Sequence, residues 1–506
     1  MKKITIIIMT LVILSKVVGF GRELLLTYYY GTSYISDVYV VSLTIPAVLF
    51  SFIGISITTT FIPIYSDIKN NKGNVEANKF SSNLLNWVFV ACIIVIMVVF
   101  AFTEELLNIF ASGFTNESKE LAILFTRITI FSIIFTGFIS LSTGYLNANK
   151  SFVAPATIGI PLSIIVVASV ILSVHYGVIM LPIGIIVAGF AQSVILLWFN
   201  IKNGFFPKMN LKFDDNIKKV FILIIPLIFS TAIHEVNVIV DRNIASNLFE
   251  GGVSALYYAN RINLFVKDIV IMSILTVSFP LLSKFYSENN IEKFKTTFSA
   301  DLNSILFLTI PIVTGGLIYS KEIISILYGR GAFDEFAISL TSQALFYYLI
   351  GIIGIGIYLL CAKSFYALHI TKIPVIISAI GMMINIGLNL ILSKFMGISG
   401  LALSTSISAF VTALIGLILI RRRLGPLDIK IFGVAKILFA SLIMISISKT
   451  INVIATTYLS QNLSLVISIF VAVLVYFTSA YLLRVDELIS LIDRTKLMIS
   501  RRKLNS

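Results

Sequence analysis

The chain has 506 residues, of which 58% are hydrophobic and only 12% charged, and its mean hydropathy is +1.00. That composition excludes a water-soluble globular enzyme and reads as an all-α polytopic membrane protein. A net charge of +14 would suggest nucleic acid for a soluble chain, but here the basic residues sort by position along the chain, which is a topological signal.

Crossing a bilayer takes about 20 apolar residues in helical form. About fourteen runs meet that requirement, near residues 4–26, 34–65, 84–103, 121–146, 154–175, 178–199, 219–248, 253–282, 299–319, 338–367, 373–393, 399–420, 431–449 and 461–483. The first follows Lys2 and Lys3 like a signal peptide, yet no small-residue cleavage site follows and the apolar pattern continues to Leu26, so it reads as a retained helix. Within the first two runs, from Ser15 to Pro63, stand Lys16, Arg22, Glu23 and Asp37. A charge at the centre of a membrane helix costs roughly 3 kcal/mol on insertion scales, so such groups face a water-filled cavity, a partner or a substrate. Several basic groups on one cavity suit an anionic substrate.

With the N-terminus inside, the even-numbered connections carry Lys69, Lys72 and Lys79, then Lys150, then Lys202, Lys208, Lys212, Lys218 and Lys219. Further on they carry Lys284, Lys293 and Lys295, then Lys372, then Arg421, Arg422, Arg423 and Lys430, with Arg494, Lys496, Arg501, Arg502 and Lys503 in the tail. The odd-numbered connections hold Glu104, Glu105, Glu117, Glu120, Glu250, Asp334 and Glu335. The excess of Lys and Arg on one side places both termini in the cytoplasm and implies an even number of spans. Cys92 and Cys361 fall inside predicted spans and indicate neither a disulfide framework nor a metal motif.

The connections are short, the longest running from about Asn200 to Lys219, which leaves no room for a soluble catalytic domain. No catalytic triad, zinc ligand set or nucleotide-binding loop is present, so the chain reads as a non-enzyme that hydrolyses no ATP of its own. A weak internal repeat aligns Arg22 and Gly31 with Arg242 and Gly251, and Phe61 and Pro63 with Phe279 and Pro280. A second echo pairs Tyr145–Pro155 with Tyr366–Pro374. The expected organisation is two pseudo-symmetric six-helix halves, 1–200 and 201–425, followed by 426–506 with two extra helices and a basic tail. Repeats of this kind are typical of alternating-access transporters.

Several stretches are similar to the MurJ/MviN lipid II flippases of the multidrug/oligosaccharidyl-lipid/polysaccharide exporter superfamily. They are SKVVGFGRELLLTYYYG with Asp37 and the FIP at 61–63, then FISLSTGYLNANKSFVAPA at 138–156, YYANRINLF at 257–265 and FPLLSKF at 279–285. LYGRGAFD at 327–334 and SFYALHITKIPV at 364–375 complete the set. The resemblance implies a helical bundle with a central cationic cavity, a groove lined partly by the last two helices for a lipid tail, and location in the bacterial cytoplasmic membrane. It implies as partners an undecaprenyl-pyrophosphate-linked glycan, the bilayer and the cell-wall synthesis machinery. Carried over by position, the substrate-binding residues are Lys16, where the family usually has Arg, Arg22, Glu23 in place of an Asp, Asp37 and Arg261. The expected substrate is lipid II, but the family's second-span Arg is missing, since 46–52 reads PAVLFSF; one fewer positive group makes another lipid-linked glycan, of the O-antigen or capsule type, the alternative.

Guanidinium groups grip phosphate oxygens in pairs, which makes Arg22 and Arg261 the main candidates, with Lys16 as a point charge. The lesser alternative is that Arg22 pairs with Asp37 and merely clips two helices together. Arg127 reads as a snorkelling side chain, and His234 with Glu235 as either a proton carrier or a hydrogen-bonded interior pair. Asp241 with Asn385, Asn389 and Thr405 offers hard oxygen ligands for Na⁺ at positions that resemble a cation site in the family, although Asn389 stands where a carboxylate is expected. The other reading is that Asp241 neutralises Arg242 or a basic group elsewhere. No cofactor is expected beyond a coupling ion, Na⁺ or H⁺. A multidrug exporter would want an acidic cavity, a glycosyltransferase would want a large outer loop, and a non-transporting scaffold would tolerate loss of Arg22.

Overall fold

The computed structural model describes residues 2–428, 430–490 and 492–493. The basic tail residues Arg494, Lys496, Arg501, Arg502 and Lys503 lie outside them. The described residues form helices and turns with no strand, as a chain crossing lipid must, because only a helix satisfies its backbone groups within one segment.

Two compact units emerge from the packing. The first comprises Met1–Ala255 with Tyr328–Ala337. Its helices are α1 (Lys2–Tyr30), α2 (Tyr34–Ala101), α3 (Thr103–Ala111), α4 (Asn116–Thr129), α5 (Ser132–Ala148), α6 (Val153–Thr157), α7 (Gly159–Tyr176), α8 (Met180–Lys202) and α9 (Asp215–Leu248). Here α2 packs on α4, α5 and α9, and α1 packs on α7. The second unit comprises Leu256–Leu327 and Ile338–Ser506. Its helices are α10 (Gly252–Val266, whose first turn belongs to the first unit), α11 (Met272–Ser287), α12 (Ile291–Ile318), α13 (Ser320–Tyr328), α14 (Glu335–Ala367), α15 (Lys372–Met396), α16 (Ile398–Leu424), α17 (Ile431–Thr456) and α18 (Gln461–Leu482). A π-helical turn, Lys267–Ile271, joins α10 to α11. These units follow packing rather than repeats: α9 sits with the first because Ile217 and Val220 are buried in the same apolar cluster as Phe61, Tyr65 and Tyr145.

Twelve segments among the described residues are long and apolar enough to cross a membrane. Helices α1 and α9 coincide with the two remaining predicted runs, so fourteen spans are compatible with the structure. The 68 residues of α2 hold two predicted spans joined by helix rather than loop, interrupted at Gly73 (φ 83°, ψ 175°). The prolines at 46 and 63 sit inside it, each removing one ladder hydrogen bond.

Five helices, α5, α8, α11, α14 and α18, end in the same way. The second residue after each helix takes a left-handed conformation: Lys150, Gly204, Asn289, His369 and Arg484. The next N–H then returns to a carbonyl five residues back, as in Ser151 to Leu146 and Ile370 to Phe365. The matching turns at Lys150 and His369 give the second sequence echo a backbone counterpart. The glycines of α14 serve close packing: a Cβ on Gly351 would lie 2.6 Å from Ser406 Oγ and one on Gly354 2.8 Å from the Ala409 carbonyl carbon, both on α16.

Candidate functional site

In the first unit, α1 carries three of the predicted site residues. Arg22 Nη2 lies 2.6 Å from Glu23 Oε1, with the two side chains 21% and 6% exposed. Each charge is thereby partly neutralised on its own helix, which lowers the cost of holding both in an apolar segment. Lys16 lies two turns earlier and is exposed.

Asp37, at the start of α2, does different work. Its carboxylate is 3% exposed and accepts the backbone N–H of Gly251 (2.8 Å, Oδ2) and of Ser254 (2.7 Å, Oδ1). A helix leaves its first N–H groups unsatisfied and favours negative charge there, so a carboxylate from another segment caps the first turn of α10. The same helix carries Arg261. The pairing of Arg22 with Asp37 raised by the sequence is not the one the carboxylate makes.

Around this cap the backbone is tightly packed. A Cβ on Gly251 would lie 2.0 Å from the Thr32 carbonyl oxygen, one on Gly31 2.3 Å from that of Ala332, and one on Gly331 2.2 Å from that of Tyr28. Ala332 N–H donates to Tyr28 at 2.8 Å. The glycines of the repeat and of LYGRGAFD thus bring three turns into backbone contact, a role that the sequence spacing marked without explaining. Arg242, on α9, donates from Nη1 to the Val253 carbonyl at 3.0 Å. Asp241, beside it, is half-buried, as is Glu235, while His234 is exposed. Arg127 donates from Nε to Thr103 Oγ1 at 3.4 Å and lies 5.9 Å from the Phe100 ring, at the end of α2.

In the second unit, Arg261 is half-buried, donates to the Tyr257 hydroxyl one turn earlier and stacks 4.6 Å from that ring. Its guanidinium is held over an aromatic face, which orients the planar donors. Asn385 donates to Thr405 Oγ1 at 3.2 Å and Asn389 donates to Asn385 Oδ1 at 2.8 Å. These three neutral side chains are thus joined. Asp241 lies in the first unit, and these three lie in the second. Outside the spans, Lys430 Nζ meets Asp486 Oδ2 at 2.7 Å. That hydrogen bond raises the lysine's pKa and lowers the carboxyl's.

The second unit also holds a cavity of about 390 Å³ whose lining includes the last two helices, α17 and α18. Ile262 and Val266 of α10, Pro311 of α12, Met444 of α17, and Val473 and Phe477 of α18 are among its lining residues. Two polar tips on it are satisfied: Tyr476 hydroxyl donates to the Phe307 carbonyl at 2.6 Å, and Tyr319 hydroxyl shares a hydrogen with Ser448 at 2.7 Å. What remains is an apolar surface with room for hydrocarbon.

The family model described as lipid II flippase MurJ matches residues 26–483. The chain belongs to the MurJ lipid II flippase family. A probable lipid II flippase MurJ of Rickettsia prowazekii is 29% identical over 498 residues, covering 95% of this chain and 97% of the relative. The lipid II flippase MurJ of Thermosipho africanus is 29% identical over 463 residues, covering 91% and 92%. A solved structure of a lipid II flippase MurJ in an inward closed conformation superimposes with a TM-score of 0.82 at 28% identity, covering 94% of this chain and 98% of that one. An inward-facing MATE transporter of the MOP superfamily shares the fold at a TM-score of 0.71 and 13% identity, covering 83% and 98%. The MurJ family membership accounts for the resemblance noted in the sequence.

Proposed function

We propose that this chain moves lipid II from the inner to the outer leaflet of the bacterial cytoplasmic membrane by alternating access, with both termini in the cytoplasm. The observation that carries the reading is the MurJ family match across residues 26–483. Arg22 in the first unit and Arg261 in the second each supply a guanidinium for phosphate oxygens. Lys16 adds a point charge, and Glu23, by holding Arg22, keeps that group ordered until a phosphate competes for it. The apolar cavity reached by α17 and α18 takes part of the prenyl tail. Asp37 acts by fixing the start of the helix that bears Arg261. A second reading, a flippase for another undecaprenyl-linked glycan, is favoured by one observation: the stretch 46–52, where the family's second-span Arg would stand, carries no basic residue.

The test is complementation in cells depleted of their own lipid II flippase, at matched membrane expression. Wild-type chain should rescue growth, and Arg22→Ala and Arg261→Ala should each fail. Rescue by both variants would overturn the roles of the two arginines. Failure of the correctly inserted wild type would move the substrate to the second reading.

A further inference from the structure

The connection between α8 and α9 has no regular structure, yet its backbone is held along its length by one face of α2. Asn78 donates to the Gly204 carbonyl at 2.8 Å, and Asn86 to those of Lys208 and Asn210 at 3.0 and 3.1 Å. Asn83 donates to the Lys212 carbonyl at 2.7 Å and accepts from the Lys212 N–H at 2.9 Å. Ser82 accepts the Lys208 N–H at 3.2 Å, and Trp87 Nε1 also reaches the Lys212 carbonyl, at 3.2 Å. In bulk water an extended strap needs no such ladder, because solvent satisfies it. At the edge of hydrocarbon every backbone group must find a partner in the protein.

Phe205 is buried, but most side chains of the strap are exposed. Met209 is 100% exposed, Phe213 63%, Phe206 62% and Leu211 55%. Interleaved with them, or just beyond at the start of α9, stand the exposed lysines Lys208, Lys212, Lys218 and Lys219. Trp87 packs edge-on against Phe213 and Phe221, with centroids 5.7 and 5.9 Å apart. Exposed Trp198 lies one turn before Lys202, whose ammonium sits 5.3 Å over its ring. Apolar side chains that enter the acyl boundary, lysines that stay with the headgroups and an aromatic girdle are the features of a surface that lies in a membrane interface.

We propose that the strap 203–214 and the first turn of α9 form a binding surface for anionic lipid headgroups, with the apolar side chains inserted and the lysines on lipid phosphate. The occupant is the bilayer itself: the strap joins two membrane helices, and a cluster of four lysines beside inserted aromatics is complementary to an anionic leaflet. The surface is separate from the charged residues of α1 and α10 and does not depend on which glycan is moved.

Trp87 reports on it directly, since the chain has only two tryptophans. The full chain with Trp198→Phe is reconstituted in phosphatidylcholine vesicles containing trace lipid spin-labelled near the headgroup, either phosphatidylglycerol or phosphatidylcholine. At low salt the labelled anionic lipid should quench Trp87 at least about fivefold more effectively than the zwitterionic one, the preference expected from a single lysine at the surface. The preference should fall toward parity at high salt, and Lys208→Gln with Lys212→Gln should reduce it severalfold. Parity at low salt in the unsubstituted lysine background, or a preference that salt does not change, would overturn the proposal. So would quenching by aqueous iodide in place of lipid. The salt series needs no lysine substitution, so the outcome stands even if the double variant releases the strap.

Discussion

The Asp37 carboxylate takes two backbone N–H groups of a helix that begins some 214 residues later in the chain, and both bonds are buried. Removing an acceptor from a buried donor costs about 1–3 kcal/mol per group, more than the bond itself contributes. Asp37→Ala, which orphans two donors, should therefore lower stability by about 2–6 kcal/mol. Asp37→Asn, which keeps one oxygen but turns an N–H₂ toward a donor, should fall between it and wild type. Thermal unfolding in detergent reads the order, and an alanine variant equal to wild type would remove the capping role. Beside it, Gly251 and Gly73 form a controlled pair, because both have positive φ, 86° and 83°. An added Cβ is strained at either position, by about 1–3 kcal/mol. At Gly73 nothing lies within 4 Å of the new atom, whereas at Gly251 the Thr32 carbonyl oxygen is 2.0 Å away. Gly73→Ala should accumulate as a folded protein with modest loss of midpoint, and Gly251→Ala should fail to accumulate or unfold far earlier, as read by size-exclusion profiles of detergent extracts.

At the scale of elements, hydropathy located the spans because lipid selects apolar side chains, and it missed what lipid does not select. The chain between 66 and 83 was read as a connection, yet it is helical on both sides of the break at Gly73, since a solvated helix carries Asp67, Lys69 and Glu76 without any apolar signature. The charged residues Arg22, Glu23, Asp37 and Arg261 were legible as exceptions within apolar runs. Their partners were not, because Asp37 binds backbone amides, which every residue has, and Arg261 rests on a tyrosine of its own helix. A groove partly lined by the last two helices was implied by the family resemblance alone; its lining could not be read from the residues, because it arises from how α10, α12, α17 and α18 fit and each contributes only ordinary membrane residues. Ala472 lines it on α18, and Ala472→Phe would fill space from within. Displacing two tail methylenes at about 0.8 kcal/mol each amounts to roughly a tenfold loss of apparent affinity for a prenyl-linked substrate. The variant should keep wild-type thermal stability and lose rescue in the complementation assay. Wild-type rescue would mean that the tail does not use this cavity.

For the molecule as a whole, the number of crossings fixes which side every connection faces, and it turns on α9. That helix has 34 residues and carries three charges in its second half, Glu235, Asp241 and Arg242. Ten predicted runs separate Lys72 from Arg422, and both residues are exposed. An even count puts them on one side. If α9 did not cross, the count would be nine and they would face opposite compartments. Glu105 and Glu335, also exposed, lie one run from Lys72 and three from Arg422, so each should face the side opposite its neighbour. Both native cysteines are buried, and Cys92→Ala with Cys361→Ala gives a background for single reporters at these four positions. A membrane-impermeant maleimide applied to intact cells should label cysteines at 105 and 335 and spare those at 72 and 422 until the membrane is opened. Labelling of 422 from outside while 72 stays protected would show that α9, or one of its nine companions, does not cross. A basic excess distributed as evenly as this one would then have to come from something other than the bilayer's charge asymmetry. Agreement at all four positions would mean that the charges within α9 are carried through the membrane. Helix α9 then crosses although Arg242 is held by a backbone carbonyl and Asp241 is only half-buried.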